Sequence, residues 1–149
     1  MASYITSVRT AWAPETAFDF MADLRNLEIW DPGVRSVRLV EGAGPGLGAA
    51  FDVDVHACPR TITLRYETTE FQRPERLVVV AATPTMISRD QIVVESEPGG
   101  STVTYDAELS LRGPLRLADP LLAIGFRRIA ERAAGGLRCT LVGDAVPAS

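Results

Sequence analysis

Apolar and polar residues alternate with a period of two through most of the middle of the chain. Phe51, Val53 and Val55 alternate with Asp52, Asp54 and His56, and Ile62, Leu64, Tyr66 and Thr68 alternate with Thr63, Arg65 and Glu67. Further on, Val103, Tyr105, Ala107, Leu109 and Leu111 alternate with Thr104, Asp106, Glu108, Ser110 and Arg112. Successive side chains of a strand point to opposite faces, so each run predicts a strand with one covered and one wet face. The segment from Leu77 to Ala82 is apolar throughout, which predicts cover on both sides. Pro45, Pro59, Pro74, Pro84 and Pro98 fall between such runs. Proline is barred from the interior of central strands, so these positions predict the turns of an antiparallel meander. Glu97-Pro98-Gly99-Gly100 predicts a hairpin turn.

The period becomes helical towards both ends. A first strand from about Tyr4 to Trp12 leads into Ala13-Pro14-Glu15-Thr16, a helix start with proline and an acidic residue in its first turn. Phe18, Met21 and Leu24 or Arg25 follow at helical spacing, and a second short helix from Leu27 to Trp30 stops before Pro32-Gly33. Asp119-Pro120 predicts the start of a long helix running to about Leu141. Its apolar stripe is Leu122, Phe126, Ile129, Ala133, Leu137 and Leu141, with Arg127, Arg128, Glu131, Arg132 and Arg138 as polar cover.

The element order is strand, two short helices, six strands, one long helix. A single helix covers too little of a flat seven-stranded sheet, so the sheet must curl around it. The predicted class is α+β, a helix-grip fold with an antiparallel sheet wrapped around a long C-terminal helix. Residues 1–142 form one domain in this reading and 143–149 a flexible tail. Space left between helix and concave sheet is a natural apolar pocket.

Composition narrows the chemistry. The chain has 149 residues, 46% hydrophobic and 23% charged, which suits one globular domain. It contains one His (His56), two Cys (Cys58 and Cys139) and no Lys, so all 15 basic residues are Arg. This excludes a multi-Cys or multi-His metal centre, a disulfide framework, a Schiff-base lysine and a P-loop. The expectation is no metal and no cofactor. A net charge of −4 argues against non-specific nucleic-acid binding. There is no apolar run long enough to span a membrane and no signal-peptide pattern at the start, which predicts a cytoplasmic location. The chain is expected to be a monomer or homodimer whose partner is a small hydrophobic molecule.

Gly44-Pro45-Gly46-Leu47-Gly48-Ala49 fits a loose dinucleotide fingerprint, but it leads into a strand rather than a helix and is read as a hairpin loop. Asp52, Asp54, His56 and Cys58 share a strand face opposite the apolar set, which places them in solvent rather than around a metal. Two adjacent glycines on the long helix, Gly135 and Gly136, cost roughly 1 kcal/mol each relative to alanine. Either a close contact or space for a ligand offsets them. If Val103, Tyr105 and Ala107 face inward, hairpin pairing makes Ile92 and Val94 inward, and Ser88 and Asp90 continue that phase. Asp90 is then either a cavity carboxylate with a raised pKa or a strand-end residue paired with Arg89 or a loop amide.

The segment Ala-Pro-Glu-Thr-Ala-Phe-Asp-Phe-Met-Ala-Asp-Leu-Arg-Asn-Leu-Glu-Ile-Trp-Asp-Pro-Gly-Val-Arg-Ser-Val-Arg-Leu, residues 13–39, resembles the opening of the SRPBCC superfamily, also called START-like or Bet v 1-like. That opening has a Pro-Glu helix start, an aromatic, an Asp-Leu pair and a Trp-x-Pro turn. Residues 66–79 resemble its central hairpin, and residues 99–122 its last strand and helix entry. The similarity is nearest to the polyketide cyclase/dehydrase-like branch. It implies the helix-grip fold and binding, transport or sequestration of a hydrophobic ligand such as a lipid, polyketide or isoprenoid. The alternative is a cyclase, aromatase or dehydratase acting on a carbonyl substrate.

The expected cavity residues are Trp30, Phe51, Tyr66, Ser88 and Asp90, then Ile92, Tyr105, Leu122, Phe126 and Ile129. If the protein is an enzyme, Asp90, Tyr66 and Tyr105 are the candidate catalytic groups. Aromatic polyketide cyclases of this superfamily use a pocket arginine. Arg65 lies in the outward phase and Arg89 is out of phase beside Asp90, so neither matches it cleanly.

Overall fold

The computed structural model describes residues 2–57 and 60–142. Cys58, whose predicted place was the outer face, and the predicted tail 143–149 lie outside the described residues. The strands are β1 (Ala2–Thr10), β2 (Val34–Glu41), β3 (Ala50–Ala57), β4 (Arg60–Gln72), β5 (Arg76–Ala82), β6 (Met86–Glu97) and β7 (Gly100–Leu111). Helices α1 (Pro14–Ala22) and α2 (Leu27–Trp30) lie between β1 and β2, and α3 (Asp119–Val142) closes the chain. Elements and order match the sequence reading, with β1 ending two residues earlier because Ala11 and Trp12 already turn towards α1.

All strands form one seven-stranded sheet in the order β1-β7-β6-β5-β4-β3-β2. Six strands pair as a sequential antiparallel meander, and β1 joins the far edge against β7, with Val8 opposite Val103. The predicted turn between β6 and β7 is present, with Gly99 at φ +83°. Gly100 packs so closely on the Thr10 carbonyl and Ala11 that no side chain fits there. The glycine-rich segment after β2 is a loop, fixed where Gly48 N–H donates to the Thr68 carbonyl at 2.9 Å. β5 is covered on both faces, with Leu77, Val78, Val79 and Ala81 all buried.

The concave side of the sheet is divided between a packed half and an open half. In the packed half, Phe18 and Met21 of α1 meet Phe51, Leu77, Val79 and Ile92 in one buried cluster. Edge-on aromatic contacts, Phe18 with Phe71 and Trp12 with Phe20, each at 5.2 Å, close its rim. α3 is tied to β1 at its C-terminal end. There Leu137 and Leu141 are buried, and the Thr10 hydroxyl donates to the Leu141 carbonyl at 2.5 Å. Towards its N-terminal half the stripe lifts off the core: Phe126 is half-buried and Ile129 is 53% exposed.

Candidate functional site

Between α3 and the open half of the sheet lies a cavity of about 600 Å³. This is within the range of roughly 300–1,000 Å³ typical of small-molecule sites. Its walls combine sheet residues such as Ile62, Leu64, Ala107 and Leu109 with Phe126, Ile129 and Ala133 of α3. The lining is mostly apolar, as an inward strand phase and a helix stripe dictate. The polar groups gather at one end.

That polar end follows from the register of the central strands. Tyr66 of β4 faces Ala81 of β5, which faces Ser88 of β6, so the three lie in one row across the sheet. The small Ala81 side chain lets the Tyr66 hydroxyl pass over it to the Ser88 hydroxyl, 2.7 Å away. One step along β6, Asp90 faces Ala107, and Tyr105 of β7 is its diagonal neighbour. The Tyr105 hydroxyl donates to Asp90 Oδ2 at 2.6 Å, and the Tyr105 ring meets Trp30 edge-on at 5.5 Å.

Asp31, which the sequence reading did not single out, completes the group. It follows the last residue of α2, and its Oδ1 accepts the Gly33 N–H at 2.8 Å, an Asx turn of the kind an Asp-Pro-Gly sequence favours. The turn is fixed from above by α3. Gly136 lies directly on the Trp30 carbonyl, and a Cβ there would overlap it. Close packing therefore accounts for Gly136, whereas Gly135 and Gly125 have open space around them. A smaller void of about 60 Å³ reaches into the core beside Met21, Leu24 and Val79. Trp30, Asp31, Tyr66, Asp90 and Tyr105 border both spaces, so the polar cluster stands between them.

The surroundings shift every titratable group of this cluster towards its protonated form. Burial is the main cause at Asp90; its carboxyl rises to about 7, with the Asp31 charge adding to the rise and the Tyr105 hydroxyl opposing it. Burial also raises Asp31, against the Gly33 N–H that favours its charged form. The Tyr66 and Tyr105 hydroxyls are pushed well above the usual phenol range, first by burial and then by the neighbouring Asp90 charge. The part of Asp90 that remains open faces the chamber.

Seven of the ten expected cavity residues line the main chamber: Trp30, Tyr66, Ser88, Asp90, Tyr105, Phe126 and Ile129. Phe51 does not. It is fully buried in the packed half, because its strand passes beneath the α1 cluster before reaching the chamber. Ile92 is 1% exposed and borders only the smaller void, two residues closer to the core than Asp90. The side chain of Leu122 is outside the described residues. Two residues assigned to the outer surface also border the chamber, His56 and Arg132, both exposed at its rim. Arg132 lies near the middle of α3, one turn after Arg128, and borders the chamber while remaining exposed.

The other acidic residues of β3 are on the wet face as expected. Arg65 pairs with Asp52 at 2.8 Å, and Asp54 takes Arg38, Thr63 and Ser36 as donors, which hold it well below the usual carboxylate range. Such exposed pairs contribute little to stability.

Comparison with known proteins gives the same architecture. No curated protein sequence matches the chain. Among solved structures, a START superfamily protein from Mycobacterium smegmatis superposes with a TM-score of 0.76 at 11% identity, covering 95% of this chain and 97% of that one. The Zhui aromatase/cyclase from Streptomyces sp. R1128 gives 0.74 at 11% identity, with 95% and 92% covered. The protein TTHA0849 from Thermus thermophilus gives 0.73 at 17% identity, with 91% and 94% covered. At these identities the likeness concerns the fold. The model of one family, described as polyketide cyclase / dehydrase and lipid transport, matches residues 1–142, nearly the full length. The chain therefore belongs to the polyketide cyclase/dehydrase and lipid transport family, and its fold is the helix grip of the START superfamily protein.

Proposed function

We propose that the protein binds one small hydrophobic molecule in the chamber between α3 and the sheet, for carriage or sequestration. The observation that carries this reading is the chamber itself: about 600 Å³, walled mainly by apolar side chains, beside the buried cluster under α1. Moving an apolar molecule from water onto such walls is favourable, in proportion to the apolar area removed from solvent. The family description, which includes lipid transport, supports the same reading. Nile red, a neutral lipophilic dye, tests it. Saturable binding of one dye per chain, with a blue-shifted emission and displacement by dodecanol, is expected. A dye that stays unbound, or binds without saturation, contradicts it.

A second reading rests on the Asp90–Tyr105 pair. A carboxyl near neutrality, hydrogen-bonded to a phenol and facing an apolar chamber, is suited to moving a proton at a carbon next to a ligand carbonyl. Asp90 would accept the proton and Tyr105 or Tyr66 would donate to the enolate oxygen. The aromatase/cyclase among the structural neighbours is consistent with this chemistry.

A further inference from the structure

The chamber is electrically one-sided. Its titratable and charged lining groups are Tyr4 of β1, Asp31 after α2, His56 of β3, Tyr66 of β4, Asp90 of β6, Tyr105 of β7 and Arg132 of α3. The two carboxylates and two of the phenols form the inner cluster, whereas His56 and Arg132 are exposed at the rim. Among the described residues no arginine pairs with Asp31 or Asp90. Four sheet arginines pair with other groups, Arg65 with Asp52, Arg38 with Asp54, Arg76 with Glu70 and Gln91, and Arg89 with Gln91. Asp31 has the Gly33 amide and Asp90 the Tyr105 hydroxyl, each a single neutral donor. A carboxylate accepts several hydrogen bonds and in an apolar enclosure needs a counter-charge. Among the described residues none is provided at the inner end.

We infer that the chamber selects apolar molecules carrying a protonated amine, with the ammonium group against Asp90 and Asp31 and the apolar body along α3. Three features fit such a guest together. The two carboxylates supply its counter-charge, the Tyr105, Tyr66 and Trp30 rings add cation–π contact, and the apolar walls hold its hydrocarbon part. An acid of the fatty type meets the opposite field, since its carboxylate would face two others. The inference rests on the proposed binding function and names its ligand class.

Three probes of one chain length separate the two claims: dodecylamine, dodecanol and dodecanoate, each titrated below its aggregation threshold and read by displacement of Nile red. The expected order is amine, alcohol, acid, with the amine bound at least about tenfold more tightly than the acid at pH 8, as opposite signs of one close charge interaction imply. The amine stays protonated throughout, so its affinity should rise as pH increases from 5.5 to 8 and Asp90 ionises, while that of dodecanol stays level. In Asp90→Asn the ratio of amine to alcohol affinity should collapse towards one, and in Asp31→Asn it should fall. Dodecanol binding as well as or better than dodecylamine in the parent protein would overturn the amine selectivity and leave the binding function standing. Failure of all three probes to bind the folded protein would overturn both. An unchanged amine-to-alcohol ratio in both variants would overturn the assignment to these carboxylates.

Discussion

Asp90 is held in a protonation state that its position dictates, and this has a consequence for stability. Folding raises its carboxyl from an ordinary value near 3.8 to about 7, chiefly through burial. Between those values the folded chain keeps a proton that the unfolded chain has released, so stability falls as pH rises through the window, and above it the full penalty applies. Asp90→Asn removes the titration while keeping the shape. The variant should match the parent near pH 4 and exceed it at pH 8.5, by on the order of 2 kcal/mol in urea unfolding. An equal difference at both pH values would mean that Asp90 is not desolvated. Asp90, Ser88 and Tyr105 were legible in the sequence because strand alternation and one hairpin register fix which face each occupies. Asp31 was not. Its place beside Asp90 depends on α3 crossing the Trp30 carbonyl more than a hundred residues later, a contact that local pattern does not encode.

Among the elements, α3 shows how one helix can serve two purposes. Its C-terminal half packs on β1 through Leu137 and Leu141, and its N-terminal half roofs the chamber through Phe126 and Ile129. The apolar stripe in the sequence is continuous across both halves, so periodicity marked the covered side without distinguishing packed core from cavity wall. Phe51 illustrates the same limit: alternation correctly turned it inward, but which half of the concave face it reaches depends on where α1 lies. The glycine pair on α3 sets a close backbone contact beside an open, exposed position. Gly136→Ala must push the helix off the Trp30 backbone and should lower stability by about 2 kcal/mol or more, as overpacking does. Gly135→Ala, with open space around it, should raise stability by up to about 1 kcal/mol through helix propensity alone. Thermal or urea melts of the two variants shifting in the same direction would contradict this division.

For the molecule as a whole, the strand count, the order of elements and the grip of sheet on helix follow from a period of two, a period of 3.6 and proline placement. The scarcity of His, Cys and Lys also has a spatial form, since among the described residues the polar side chains of the inner chamber are carboxyl, phenol and hydroxyl groups. None of the helices among the described residues is long and apolar enough to cross a membrane. The volume of the chamber was not legible, because it is set by how far α3 stands off the sheet. The proposed function requires that volume to be a binding site. Ala107 lines it opposite Asp90, and Ala107→Phe fills it with an inward ring while keeping the strand's apolar phase. Nile red affinity should fall at least about tenfold in this variant, the loss of a contact worth about 1.4 kcal/mol or more, with cooperative unfolding retained. If the folded variant bound the dye as tightly as the parent, the chamber would not be the binding site.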